Sequence, residues 1–132
     1  MAFEIPGRVD GTRPAGADLS AAGNQYKFVK LNTSGQVVAI TAVTDKPYGI
    51  LQNTPAAGQA AEVMIDGISK VQGDANLTIG DQVSPSADGQ AAAAVPGTDT
   101  TKYIVGEVLT DNTTAGGIVS IQFDCAGAGR GA

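Results

Sequence analysis

Apolar and polar residues alternate along this chain in short runs broken by Gly, Pro, Asn and Asp, the period of strands rather than of helices. The stretch over residues 48–71 (YGILQNTPAAGQAAEVMIDGISKV) organises the rest. Alternation points Tyr48, Ile50 and Gln52 to one side and Gly49, Leu51 and Asn53 to the other. Residues 54–59 (TPAAGQ) turn the chain with a Pro and a Gly, and Val63, Ile65 and Ile68 carry it back. Gly67 falls where a bulge or a close backbone approach is expected. Apolar side chains on both faces place this hairpin in the middle of a small closed sheet.

The same pattern predicts strands at residues 26–31 (YKFVKL) and 36–43 (QVVAITAV), joined by an Asn-Thr-Ser-Gly turn. Further strands are expected around Leu77 to Val83, at 90–95 (QAAAAV), at 102–110 (KYIVGEVLT) and at 118–123 (IVSIQF). The alanine run sits between breakers too closely spaced for a helix, so its small side chains suit a strand that another backbone can approach. Residues 1–25 are punctuated by Pro6, Gly7, Gly11, Pro14, Gly16 and Gly23 and keep neither period. Phe3, Ile5 and Val9 leave two readings open there: a disordered N-terminus, or an extended arm that orders on a partner. The expected organisation is an arm over 1–25, a β domain over 26–124 and a flexible Gly/Ala tail over 125–132.

An echo recurs at a shift of 54: Val29 with Val83, Gly35-Gln36 with Gly89-Gln90, Ala39 with Ala93, and Thr44-Asp45 with Thr98-Asp99. With small length changes it continues as Gly49-Ile50-Leu51 with Gly106-Glu107-Val108-Leu109, and Val63-Met64-Ile65 with Val119-Ser120-Ile121. The echo reads either as an internal repeat of two three-strand units or as turn grammar common to all hairpins. Both lead to an all-β fold, a small barrel of six to eight short antiparallel strands.

Composition narrows the chemistry. The chain of 132 residues has no His, one Cys and no Trp. The commonest general base, the commonest metal ligand and the thiolate zinc sites are therefore missing, and no catalytic, cofactor or metal residue is expected. Cys125 is read as a spare thiol beside the tail, and the turn carboxylates Asp10, Asp66, Asp81, Asp88 and Asp111 as solvated turn formers. A net charge of −5 without a basic face argues against nucleic acid. No apolar run is long enough to span a membrane. Residues 67–89 approach the pattern of a biotinyl or lipoyl carrier, but the tip at 86–89 holds no lysine.

From Ala15 to Leu31 (AGADLSAAGNQYKFVKL), through Gly49-Ile50-Leu51-Gln52-Asn53, Pro55 to Ala61 (PAAGQAA), Gly67 to Val71 (GISKV), Gly80-Asp81-Gln82-Val83 and Asp88-Gly89, and on to Gly106 and the last strand, the chain resembles the head decoration, or capsid cement, proteins of tailed bacteriophages. The resemblance implies a virion protein on the outer surface of the capsid that clamps neighbouring major capsid protein subunits, commonly as a homotrimer. It covers most of residues 15–123; the stretch before Ala15 departs from the pattern. The expected contacts are burial of Phe3, Ile5 and Val9 with strand addition by the arm, and pairing of Arg8 and Arg13 with capsid carboxylates. The alternative is a carbohydrate-binding or adhesin-like β module, which would normally show aromatic platforms; an enzyme is the least favoured class.

Overall fold

The computed structural model describes residues 2–112 and 114–131. Met1 of the expected arm, Thr113 of the loop before the last strand, and Ala132 of the expected tail lie outside the described residues. Frequent turn residues cut the chain into β1 (Ile5–Pro6), β2 (Val9–Pro14), β3 (Phe28–Leu31), β4 (Val37–Ala39), β5 (Gly49–Leu51), β6 (Ala60–Met64) and β7 (Asp66–Gln72). They continue as β8 (Gln82–Pro85), β9 (Ala91–Ala93), β10 (Tyr103–Ile104), β11 (Gly106–Val108), β12 (Ile118–Asp124) and β13 (Gly129–Arg130). A 3-10 turn spans Ala22–Asn24.

The fold is all-β, with antiparallel strand pairs in three sheets among the described residues. One sheet has five strands in the order β2-β6-β5-β3-β4, one has six in the order β1-β7-β12-β11-β8-β9, and β10 pairs with β13. The expected single barrel of six to eight strands is not what forms. Isolated parallel bridges, Ala15 to Val37 and Gly73 to Ala91, link the end of β2 to β4 and the end of β7 to β9, but the ladder is not continuous and no closed barrel is found among the described residues. Pro14 has no N–H with which to extend β2, and the six-stranded sheet is linked back at one residue.

The two large sheets are built alike, bond for bond. Tyr26 N–H donates to Leu51 O at 2.8 Å, as Gly80 N–H donates to Val108 O at 3.0 Å. Leu51 N–H donates to Lys27 O, as Val108 N–H donates to Asp81 O. Ala15 N–H donates to Gln59 O, as Gly73 N–H donates to Gly117 O. Gly16 N–H donates to Val37 O, as Asp74 N–H donates to Ala91 O. The echo at a shift of 54 is thus a repeat of backbone architecture, with five strands per unit rather than three. One piece of its register differs from the sequence reading: Leu51 pairs with Val63 and Val108 with Ile121, so Val63 corresponds to Ile121 and not to Val119.

Each unit fills its own interior. Ala15, Leu19, Val29, Val37, Leu51, Ala61 and Val63 form one buried cluster in the first. Leu77, Val83, Ala91, Val108, Val119 and Ile121 hold the same places in the second. That second cluster also takes in Phe28, Ile50 and Met64, which lie on the other face of the first unit's sheet. The two-faced apolar pattern of the central hairpin has its cause here. Leu51 enters one core and its neighbour Ile50 the other, because β5 lies between them.

Candidate interaction surface

The N-terminal segment is extended, but it lies along the chain's own sheets. Ile5 and Pro6 pair with Ile68 and Gly67 on β7, and β2 pairs with β6 from Val9 opposite Met64 to Pro14 opposite Ala60. Gly67 makes the first pairing feasible. Its φ is +116°, and a Cβ there would stand 2.3 Å from Gly7 N. Phe3 is held by its backbone: its N–H donates to Ser120 Oγ at 2.5 Å, and Ser120 Oγ donates to Phe3 O at 2.5 Å. Glu4 Oε2 accepts from Ser69 Oγ at 3.1 Å.

The five residues singled out from sequence divide by type. Phe3, Ile5 and Val9 are left 40%, 59% and 48% exposed, Ile5 and Val9 on the edge strands β1 and β2 and Phe3 just before β1. Arg8 and Arg13 are instead paired within the chain. Arg8 Nη2 stands 2.6 Å from Asp66 Oδ2, and Arg8 N–H donates to Asp66 Oδ1 at 2.7 Å. These bonds from Arg8 hold the Asp66 carboxyl below its ordinary range. Arg13 Nη1 donates to Gly35 O at 3.0 Å, its Nε lies 3.4 Å from Asp10 Oδ2, and its guanidinium stands 5.5 Å from the centre of the Tyr48 ring. Asp10 accepts from Thr12 and from Tyr48 Oη, and these bonds hold its carboxyl down at about 2. Both arginines act first as fasteners for the N-terminal strands.

The far end of the chain is also engaged. Gly129–Arg130 pairs with Tyr103–Ile104, and the Arg130 guanidinium stands 4.7 Å from the centre of the Tyr103 ring. Within the tail expected to be flexible, Gly129–Arg130 is a docked strand, where Arg130 finds an aromatic face and the carbonyl of Thr101, which it reaches at 2.7 Å. Cys125 lies in the core, not beside a loose end, and burial pushes its thiol up to about 12.

On the outer face of the six-stranded sheet the register aligns Ile5, Ile68, Gln122, Glu107 and Gln82 in one row. The polar end of this row floors an open cleft of about 520 Å³, walled by Ile104, Asp124 and Ala128. Sequence reasoning did not single out this face. The signal was present in the echo, where Phe28 meets Gln82 and Ile50 meets Glu107.

The chain is therefore of the all-β class, with exposed apolar residues along its N-terminal segment and a polar cleft on one sheet face. Over residues 1–123 the chain matches the family described as XM1 gp53 minor capsid protein, and it belongs to that family. It is a phage head-associated structural protein, and its location is the virion. Its fold is similar to a crystal structure described as the head fiber gp8.5 N base of bacteriophage phi29. The TM-score is 0.62 at 12% identity, covering 92% of this chain and 95% of that one. No curated protein sequence matches. No helix among the described residues is long and apolar enough to cross a membrane.

Proposed function

We propose that this protein sits on the outer surface of the phage head and holds neighbouring major capsid protein subunits together, assembling as a homotrimer. One observation carries the reading. In a member of a minor capsid family, Ile5 and Val9 stand exposed on the edge strands β1 and β2, and Phe3 stands exposed just before β1. A partner that covers them recovers apolar burial, and β1, the outermost strand of the six-stranded sheet, presents an edge suited to strand addition. Arg8 and Arg13, already paired, set the position of this edge and add charge at its rim. Contacts that are weak one at a time sum over many copies on a shell.

Incubation of the purified protein with undecorated heads, followed by pelleting, tests the reading. Wild-type protein is expected in the pellet. Ile5→Ser and Val9→Ser, at exposed positions, are each expected to weaken capture about tenfold, from about 1.5 kcal/mol of lost burial. Folded protein that stays in the supernatant, or variants that bind as well as wild type, would contradict the proposal. A second reading, favoured by the likeness to a head fiber base, is a basal module that carries a projection away from the shell. Electron microscopy of decorated heads separates the two, by density flush with the shell or by spikes.

A further inference from the structure

The two units are alike in backbone and differ in what covers one equivalent face. In the first unit that face carries the register row Val9, Met64, Ile50 and Phe28, and the last three are buried in a core shared with the second unit. The turn at 86–89 delivers part of this contact. Phe28 N–H donates to Gly89 O at 2.7 Å, and a Cβ on Gly89 would stand 2.7 Å from Phe28 O. In the second unit the matching row is Ile68, Gln122, Glu107 and Gln82, with the three polar residues exposed along the 520 Å³ cleft. The turn that matches 86–89 is 32–35 in the first unit. Both turns close with the same bond, Gly35 N–H to Asn32 O and Gly89 N–H to Ser86 O, each at 3.0 Å. Thr33 and Ser34 at its tip are exposed.

Each chain therefore carries, unmatched, the two halves of a contact that it makes once internally: a sheet face on the second unit and a turn on the first. We infer that the cleft over Gln82, Glu107 and Gln122 receives the 32–35 turn of a second copy, repeating between chains the head-to-tail contact made within one. Such a contact is heterologous, so it closes into a ring or extends, according to its rotation. The chemistry of the two rows follows from when each is covered. Phe28, Ile50 and Met64 never meet water in the folded chain, whereas Gln82, Glu107 and Gln122 must be soluble whenever a copy stands alone. The incoming turn offers matching groups, the exposed Thr33 and Ser34 hydroxyls, while the Asn32 amide holds the turn through Ser34 and Gln36. Charge matches as well. The cleft presents Glu107 and Asp124, while the Arg13 guanidinium stands against the turn through its bond to Gly35 O.

This inference rests on the self-association in the proposed function, and its test omits heads so that the two fail separately. Sedimentation velocity over a concentration series would compare wild-type protein with Glu107→Arg, Thr33→Glu and the double variant that carries both, with folding checked by circular dichroism. Wild type is expected to assemble reversibly, each single variant to weaken assembly at least tenfold, and the double variant to recover it because the swapped charges again oppose. Glu62→Arg, on the first unit's sheet and part of neither the turn nor the cleft lining, is expected to leave assembly unchanged. A wild-type protein that stays monomeric at every concentration would overturn the inference. So would assembly that Glu107→Arg leaves intact, or a double variant no better than the singles.

Discussion

Single carboxylates tie together segments that the strand ladders leave apart. Asp45 Oδ2 accepts from Lys30 Nζ at 2.8 Å, Thr41 N–H at 3.0 Å and Ala42 N–H at 3.1 Å, and these bonds hold its carboxyl down at about 2 from an ordinary 3.8. A folded-state pKa below the unfolded one adds stability that is complete above about pH 4 and is lost as pH falls through about 2. Asp10 behaves in the same direction, its proton opposed first by Thr12 and then by Tyr48. Urea unfolding at pH 7 and at pH 2.5 should therefore show a clear loss of stability on acidification. Asp45→Asn should be less stable at pH 7 yet lose less between the two; an equal loss in both proteins would contradict this account of Asp45. Residue roles of this kind were only half legible in the sequence. The exposure of Phe3, Ile5 and Val9 follows from a segment too short and broken to bury them, and it could be anticipated. The internal pairing of Arg8 and Arg13 could not, because Asp66 and Gly35 are distant in sequence and only the fold brings them near.

At the scale of elements, strands were readable wherever alternation was clean. The hairpin of β3 and β4 and the long β12 lie where the pattern puts them. Breaks inside a run were not readable. The predicted strand over 102–110 divides at Val105, because Tyr103–Ile104 pairs with the C-terminal strand while Gly106–Val108 pairs with β8 and β12. The return strand of the central hairpin likewise ends at Met64, and β7 beyond it joins the other sheet. Alternation records which side a residue faces, not which sheet its strand joins. β1 is a short element, two exposed residues whose seat depends on the left-handed Gly67. Gly67→Ala should destabilise the protein by about 1–3 kcal/mol, through both the positive φ and the clash with Gly7. In amide hydrogen exchange it should speed Ile5 more than Ile121. Unchanged exchange at Ile5 would show that the seat does not depend on that glycine.

For the whole molecule, the repeat decides how the chain behaves. Because Phe28, Ile50 and Met64 of the first unit share a core with Val83, Val119 and Ile121 of the second, neither unit should hold its structure without the other. Calorimetry should give one unfolding transition, and two well-separated transitions would contradict the shared core. The sequence echo signalled the repeat. Its five-strand unit was hidden because the strands that open each unit, β2 and β7, lie outside the fixed shift of 54. The claim on which the functional account depends is that the N-terminal edge meets the shell. Hydrogen exchange of the protein on and off undecorated heads measures this directly. The account predicts new protection at the amides around Phe3, Ile5 and Val9 on binding. Bound protein whose N-terminal amides exchange as fast as in solution, with protection confined to other strands, would contradict it.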